Sequence, residues 1–248
     1  MADQIINLGA EFWNIRGSFR LGGIINIGTQ CSLIQLPSGR FIFLDSYALT
    51  GDVRKKVMVL TNNGQDVEAV LNVHPFHTVH CAQMAEDFPQ ATFYGSERHP
   101  KQVPEVQWSD DLVESDAVAQ RYPELEFSIP KGIHYISPNE KVHSGSLLVF
   151  HPASQSVHVD DTFMSPPTKL LKAVLPELML HPMTKKALTN EPNAGKQYCD
   201  WATELAHEWR DTRHFCAAHS GLVKFEAGGF ERALLTAVDK ARPKLENP

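Results

Sequence analysis

Three histidines fall within seven residues, at His74, His77 and His80, in a chain that has 12 histidines among 248 residues. Imidazole is neutral near pH 7 and is the side chain most often used to ligate a metal, so the cluster points to a bound cation. The segment reads Val73-His74-Pro75-Phe76-His77-Thr78-Val79-His80 and stands where an apolar strand ends and a helix begins. Pro75 biases His74 toward extended backbone, free to turn in from the strand end. His77 and His80 are three apart, which on a first helical turn makes them neighbours on one face. Three more candidates stand at strand ends further along. His143 precedes an apolar run, Asp160-Asp161 closes another, and His219 follows a third, just before Gly221.

The elements that would position these groups come in two sets. Residues 19–46 read as consecutive strands, with Pro37-Ser38-Gly39 as a turn and Asp45 at the end of the last. A helix over 51–65 stops at Asn63-Gly64. A strand over 67–73, a helix over 78–89 closed by Pro89, and a strand over 91–96 follow. The second set has strands at 125–129, 133–137, 146–150 and 156–160. It continues with a mostly helical stretch over 168–210, a short strand over 214–219 and a closing helix from Phe230. Tyr198, Trp201, Leu205 and Trp209 recur at helical spacing and read as a core stripe. Two sets of strands, each followed by helices, predict an α+β chain built as a four-layer αββα sandwich. Its two mixed β-sheets pack face to face with helices outside, in one domain spanning residues 1–248. The proline-bearing stretch 98–124 reads as a surface excursion.

The order of these segments resembles the metallo-β-lactamase superfamily over roughly residues 19 to 221. Phe43-Leu44-Asp45-Ser46 looks like the family's early strand ending in aspartate, and His74 to His80 looks like its His-x-His-x-Asp-His motif. Val142-His143-Ser144-Gly145-Ser146 resembles the segment whose histidine is a ligand. Asp160-Asp161-Thr162-Phe163 resembles the segment whose aspartate bridges two metals, and Ala217-Ala218-His219-Ser220-Gly221 the one carrying the last histidine. The resemblance implies metal ligation by His74, His77, His80, His143, Asp161 and His219, with Asp161 also orienting the attacking hydroxide. It implies a role for Asp45 in orienting a ligand histidine by hydrogen bonding. The register departs from the family at two places: Val79 falls on the motif aspartate, and His74 comes one residue early. A valine has no lone pair, so one ion of zinc or iron per chain is expected, and Val79→Asp is expected to raise the bound metal toward two.

The function this implies is hydrolysis of a small ester, thioester, lactone or phosphoester by a metal-bound hydroxide. Two other readings are open: a degenerate member that binds without catalysis, and an iron-binding redox protein, since a histidine and carboxylate site suits iron as well. The net charge of −6 gives no long-range attraction to phosphate backbones or anionic membranes. A small-molecule substrate is therefore expected, with neither nucleic acid nor membrane as partner. The N-terminus carries Asp3 and Glu11 and no basic start before an apolar run, so a cytoplasmic protein is expected. Cys31, Cys81, Cys199 and Cys216 form no CxxC and read as reduced, buried thiols, with Cys81 as a small core residue. No phosphate-binding glycine loop and no Gly-x-Ser-x-Gly nucleophile turn is present.

Overall fold

The structure is a computed structural model that describes residues 3–21, 24–166 and 175–246. The chain divides into two compact units, residues 1–124 and 125–248.

The first unit is built on a six-stranded mixed sheet in the order β1-β2-β5-β6-β7-β8. Strands β1 (Gln4–Asn7), β2 (Phe12–Gly17), β5 (Thr29–Gln35) and β6 (Phe41–Leu44) pair antiparallel in turn. The short pair β3 (Arg20–Leu21) and β4 (Ile25–Asn26) stands apart from the sheet. Strands β7 (Val67–Leu71) and β8 (Thr92–Tyr94) join β6 in parallel. Parallel neighbours need crossovers, and the helices α1 (Gly51–Leu60) and α2 (Cys81–Asp87) supply them. All four residues of β6 are buried, as strands covered on both faces are. One face packs Ile15, Leu33, Phe43 and Val70 against Val57 of α1 and Met84 and Phe88 around α2. Two short helices follow, α3 (His99–Gln102) and α4 (Asp116–Arg121), the latter capped by Ser115, whose side chain accepts from the amide of Val118.

The second unit has a five-stranded sheet in the order β15-β14-β11-β10-β9. Strands β9 (Glu126–Ser128), β10 (Leu148–His151) and β11 (Ser156–Val159) are antiparallel, and β11 runs parallel to β14 (His214–Ala217). Strand β15 (Gly221–Lys224) closes the edge, and β12 (Phe163–Met164) pairs with β13 (Met179–Leu180) separately. Among the described residues its α-helices are α5 (Thr184–Ala187), α6 (Ala194–Glu208) and α7 (Gly229–Glu246). The expected stripe on α6 is core: Tyr198, Trp201, Leu205 and Trp209 are buried with Phe150, Phe163 and Phe215. The two indoles also donate outward, Trp201 to Ser128 Oγ at 2.9 Å and Trp209 to Glu126 Oε2 at 2.8 Å.

Two mixed sheets with helices make this an α+β fold, as expected. Three local expectations are corrected, and one element had not been foreseen. Residues 133–137 form no strand, only an isolated bridge between Ile133 and Leu188. Pro130 and Gly132 precede them and Pro138-Asn139 follows, and the amide of His134 bonds the carbonyl of Ala187 at the end of α5 instead of a ladder. The stretch 168–210 is less helical than expected: residues 167–174 lie outside the described residues, and β13 occupies 179–180 between Pro176 and Pro182. The helix expected over 78–89 begins only at Cys81. Residues 4–17 form a hairpin that the pattern did not announce, turned by Gly9, Ala10 and Glu11 at positive φ. Among the described residues no helix is long and apolar enough to cross a membrane.

Candidate metal centre

In the second unit, Asp161, His143 and His219 come together. Asp161 lies two residues beyond Val159 of β11 and His219 two beyond Ala217 of β14. The parallel register pairs Val159 with Ala217, so both side chains leave the sheet at the carboxyl ends of neighbouring strands. His143 lies ahead of β10, which is antiparallel to β11, and therefore at the same end. Two polar stitches fix the flanks. The Ser146 amide donates to Thr162 Oγ1 at 3.1 Å, and the Ser165 amide donates to Ser220 Oγ at 2.9 Å.

Asp161 is buried, and each of its oxygens faces one imidazole: Oδ2 is 3.2 Å from His143 Nδ1 and Oδ1 is 3.5 Å from His219 Nε2. Two atoms bound at 2.0–2.2 Å to one tetrahedral zinc stand roughly 3.3–3.6 Å apart. The 3.2 Å contact is a hydrogen bond, and the nitrogen and oxygen donors are of the kind that a zinc-sized dication takes. The buried carboxylate also neutralises part of its charge, as a buried acid requires. Sequence reasoning missed His181 here. Its amide donates to the carbonyl of Thr162 at 3.3 Å, and its ring lies within electrostatic reach of Asp161, His143 and His219. Burial lowers its pKa, the effect that outweighs the raising influence of Asp161, and the imidazole stays neutral. Nothing in the spacing of the sequence links position 181 to the others.

In the first unit the histidine cluster hangs from the ends of β6 and β7. Asp45 follows β6 at a φ of +61°, a left-handed conformation that aspartate tolerates better than most residues. Its amide donates to the carbonyl of Leu71 at 2.8 Å, and its Oδ1 accepts from the amide of Val73 at 2.9 Å. Asp45 thus fixes the backbone leading into His74. His74 is fully buried and its ring stacks on that of His77, with centroids 3.9 Å apart and planes 13° from parallel. The ligand atoms of His74 and Asp45 each lie within 4.8 Å of one on His77. The pairing is therefore 74 with 77, made in a turn, and not 77 with 80 on a helical face, because the helix starts after His80.

His80 caps the start of α2 and meets the Tyr47 ring edge-on at 5.1 Å. Its Nε2 is buried with no hydrogen-bond partner among the described residues, and burial followed by the nearby His77 lowers its pKa. His74 Nδ1 accepts from the amide of Phe76 at 3.1 Å, which assigns the proton of the neutral ring to Nε2. His99 is fully buried beside Trp108, and burial, followed by the nearby His74, lowers its pKa. Cys81 is a core thiol: its Sγ donates to Asn72 Oδ1 at 3.4 Å and burial pushes its pKa up to about 12. Val79 is 70% exposed, so an aspartate there adds a hydrated surface charge rather than a ligand. The gain of a second ion expected from Val79→Asp no longer follows.

No family profile matches the sequence, and no curated protein matches it significantly. Solved structures do match over nearly the whole chain. A metallo-β-lactamase from Erythrobacter litoralis superposes with a TM-score of 0.63 at 13% identity, covering 96% of each chain. The fold is that of the metallo-β-lactamases. The enzyme FIM-1 of Pseudomonas aeruginosa, in its mono-zinc form, gives a TM-score of 0.62 at 9% identity over 98% of this chain and 97% of its own. A metallo-β-lactamase from Hirschia baltica gives 0.61 at 11% identity over 97% of each. At this identity the likeness carries the fold and leaves chemistry to the residues described above.

Proposed function

We propose that the chain is a metal-dependent hydrolase of a small ester, thioester, lactone or phosphoester. The observation that carries this reading is the buried Asp161 carboxylate, with one imidazole at each oxygen. Asp161, His143 and His219 would hold a zinc or iron ion. His77 and His80, with His74 stacked on His77, are further candidate ligands, carried on the turn between β7 and α2. The chemistry such an ion contributes is acidification of coordinated water toward neutral pH. Asp161 would help to hold the ion and would orient the water that the ion acidifies. His143, half exposed, stands where it can orient a substrate or the carboxylate beside it. One ion per chain is the reading we favour, in a small-molecule enzyme of the cytoplasm. FIM-1 in its mono-zinc form is an instance of this fold with a single ion.

Elemental analysis of tag-free protein tests the assignment. About one equivalent of metal is expected, and Asp161→Asn should reduce it to a small fraction while circular dichroism is unchanged. The same measurement on His77→Ala tells whether the imidazoles of the first unit take part. Metal retained in full by Asp161→Asn would sink the assignment. A second reading, binding without turnover, is favoured by His74, which comes one residue early against the resembled motif. Stoichiometric metal with no hydrolysis across an ester, lactone and phosphoester panel would decide for it.

A further inference from the structure

A groove of about 380 Å³ opens in the second unit between strand β13 and helix α7. Its size lies in the usual range for a small-molecule site. Leu178 and Leu180 line one wall, and Ala237 and Ala241, one turn apart on α7, leave room on the other. Lys240 and Lys244 follow on the same helix face, and Lys185 of α5 completes the lining. Among the described residues no acidic one lines the groove, although the chain as a whole carries 29 acids against 23 lysines and arginines. Elsewhere on α7 Arg242 is neutralised by Asp200 and Glu246 at 3.3 and 2.6 Å, whereas none of the three groove lysines is in an ion pair among the described residues. His181 lines the groove, its amide donates to the carbonyl of Thr162 next to Asp161, and its ring lies within electrostatic reach of Asp161.

An apolar floor under three uncompensated ammonium groups matches one kind of occupant, an alkyl chain with a negative head. We propose that the groove binds a medium-chain carboxylate amphiphile. The alkyl chain lies between β13 and α7 and the carboxylate is held by the lysines. Carboxylate-bearing acyl compounds of this kind are the substrates presented to Asp161, a link that rests on the hydrolase reading above. Lysine is a point charge on a flexible stem and needs no fixed head geometry, so a head with a single negative charge suffices.

Calorimetry on the full chain with decanoate tests this, with decanol, decyltrimethylammonium and decyl phosphate as comparison probes. Decanoate should bind one to one, weaken as salt is raised, and lose about tenfold in affinity in the Lys240→Gln, Lys244→Gln double variant. Ala241→Trp, which fills the groove, should abolish binding with circular dichroism and metal content as in the parent. Equal binding of decanol or decyltrimethylammonium overturns the charge assignment, and binding of decyl phosphate without decanoate overturns the carboxylate. Unchanged binding in Ala241→Trp overturns the location. The measurement needs no turnover, so the two readings fail separately. Decanoate binding without hydrolysis of any acyl ester keeps the groove and removes the substrate link. Hydrolysis of short esters without decanoate binding removes the groove and keeps the hydrolase.

Discussion

Asp45 and Asp161 are both buried carboxylates at the ends of parallel strands, yet they do different work. Asp161 faces two imidazoles with its two oxygens. Asp45 spends one oxygen on the Val73 amide, one residue before His74, and acts through the backbone. Removing that acceptor leaves a buried N–H unsatisfied, at a cost of about 1–3 kcal/mol. Asp45→Ala also places alanine at a φ of +61°, which adds strain. Asp45→Asn keeps both an acceptor and tolerance of that conformation. The expected outcome is that Asp45→Ala lowers stability by about 2–4 kcal/mol in urea titration, summing the lost acceptor and the strain. Asp45→Asn should lower it by less than half of that. Equal losses would show that the charge of Asp45, not its hydrogen bond, is what the strand end requires.

Helix contacts set the next scale. Helices α6 and α7 approach so closely at Gly195 that a Cβ built there would stand 2.0 Å from the carbonyl of Leu245. Gly195→Ala therefore forces the helices apart. The expected loss is about 2 kcal/mol, read as a fall in Tm of roughly 4–8 °C. A rise in Tm, as alanine's helix propensity alone would give, would refute the contact. Helix α3 carries His99 into the first unit's interior, and burial holds its folded-state pKa at about 3. The unfolded chain takes up a proton below about pH 6.5 that the folded chain refuses. Stability is therefore lost as pH falls from about 6.5 toward 3, by about 2 kcal/mol from this group at pH 5. In metal-stripped protein, His99→Leu should flatten the decline in urea stability between pH 7 and 5 by that amount. A parallel decline in both proteins would count against a neutral buried imidazole.

Across the whole molecule the four cysteines, Cys31, Cys81, Cys199 and Cys216, are buried and not in disulfides. Burial pushes the Cys199 thiol up to about 11 and Cys81 to about 12, so little thiolate exists near neutrality. Native protein at pH 8 should react with a thiol-specific disulfide reagent at none of the four within minutes, and at all four in guanidinium. A fast native thiol would mark a local opening. The sequence by itself determined what is carried by local pattern. Alternating and continuous apolar runs announced β5, β6, β7, β10, β11 and β14, and helical spacing announced the buried face of α6. Placement at strand ends, together with the resemblance to the family's segments, singled out His143, Asp161 and His219. Tertiary structure decided what depends on neighbours distant in sequence. Residues 133–137 had the composition of a strand but no strand to pair with, and so stayed irregular. His74 and not His80 meets the ring of His77, because the chain turns through Pro75 before the helix begins. His181 and His99 carried no signal at all, since a lone histidine gains meaning only from the groups that folding brings beside it, and spacing along the chain does not record those.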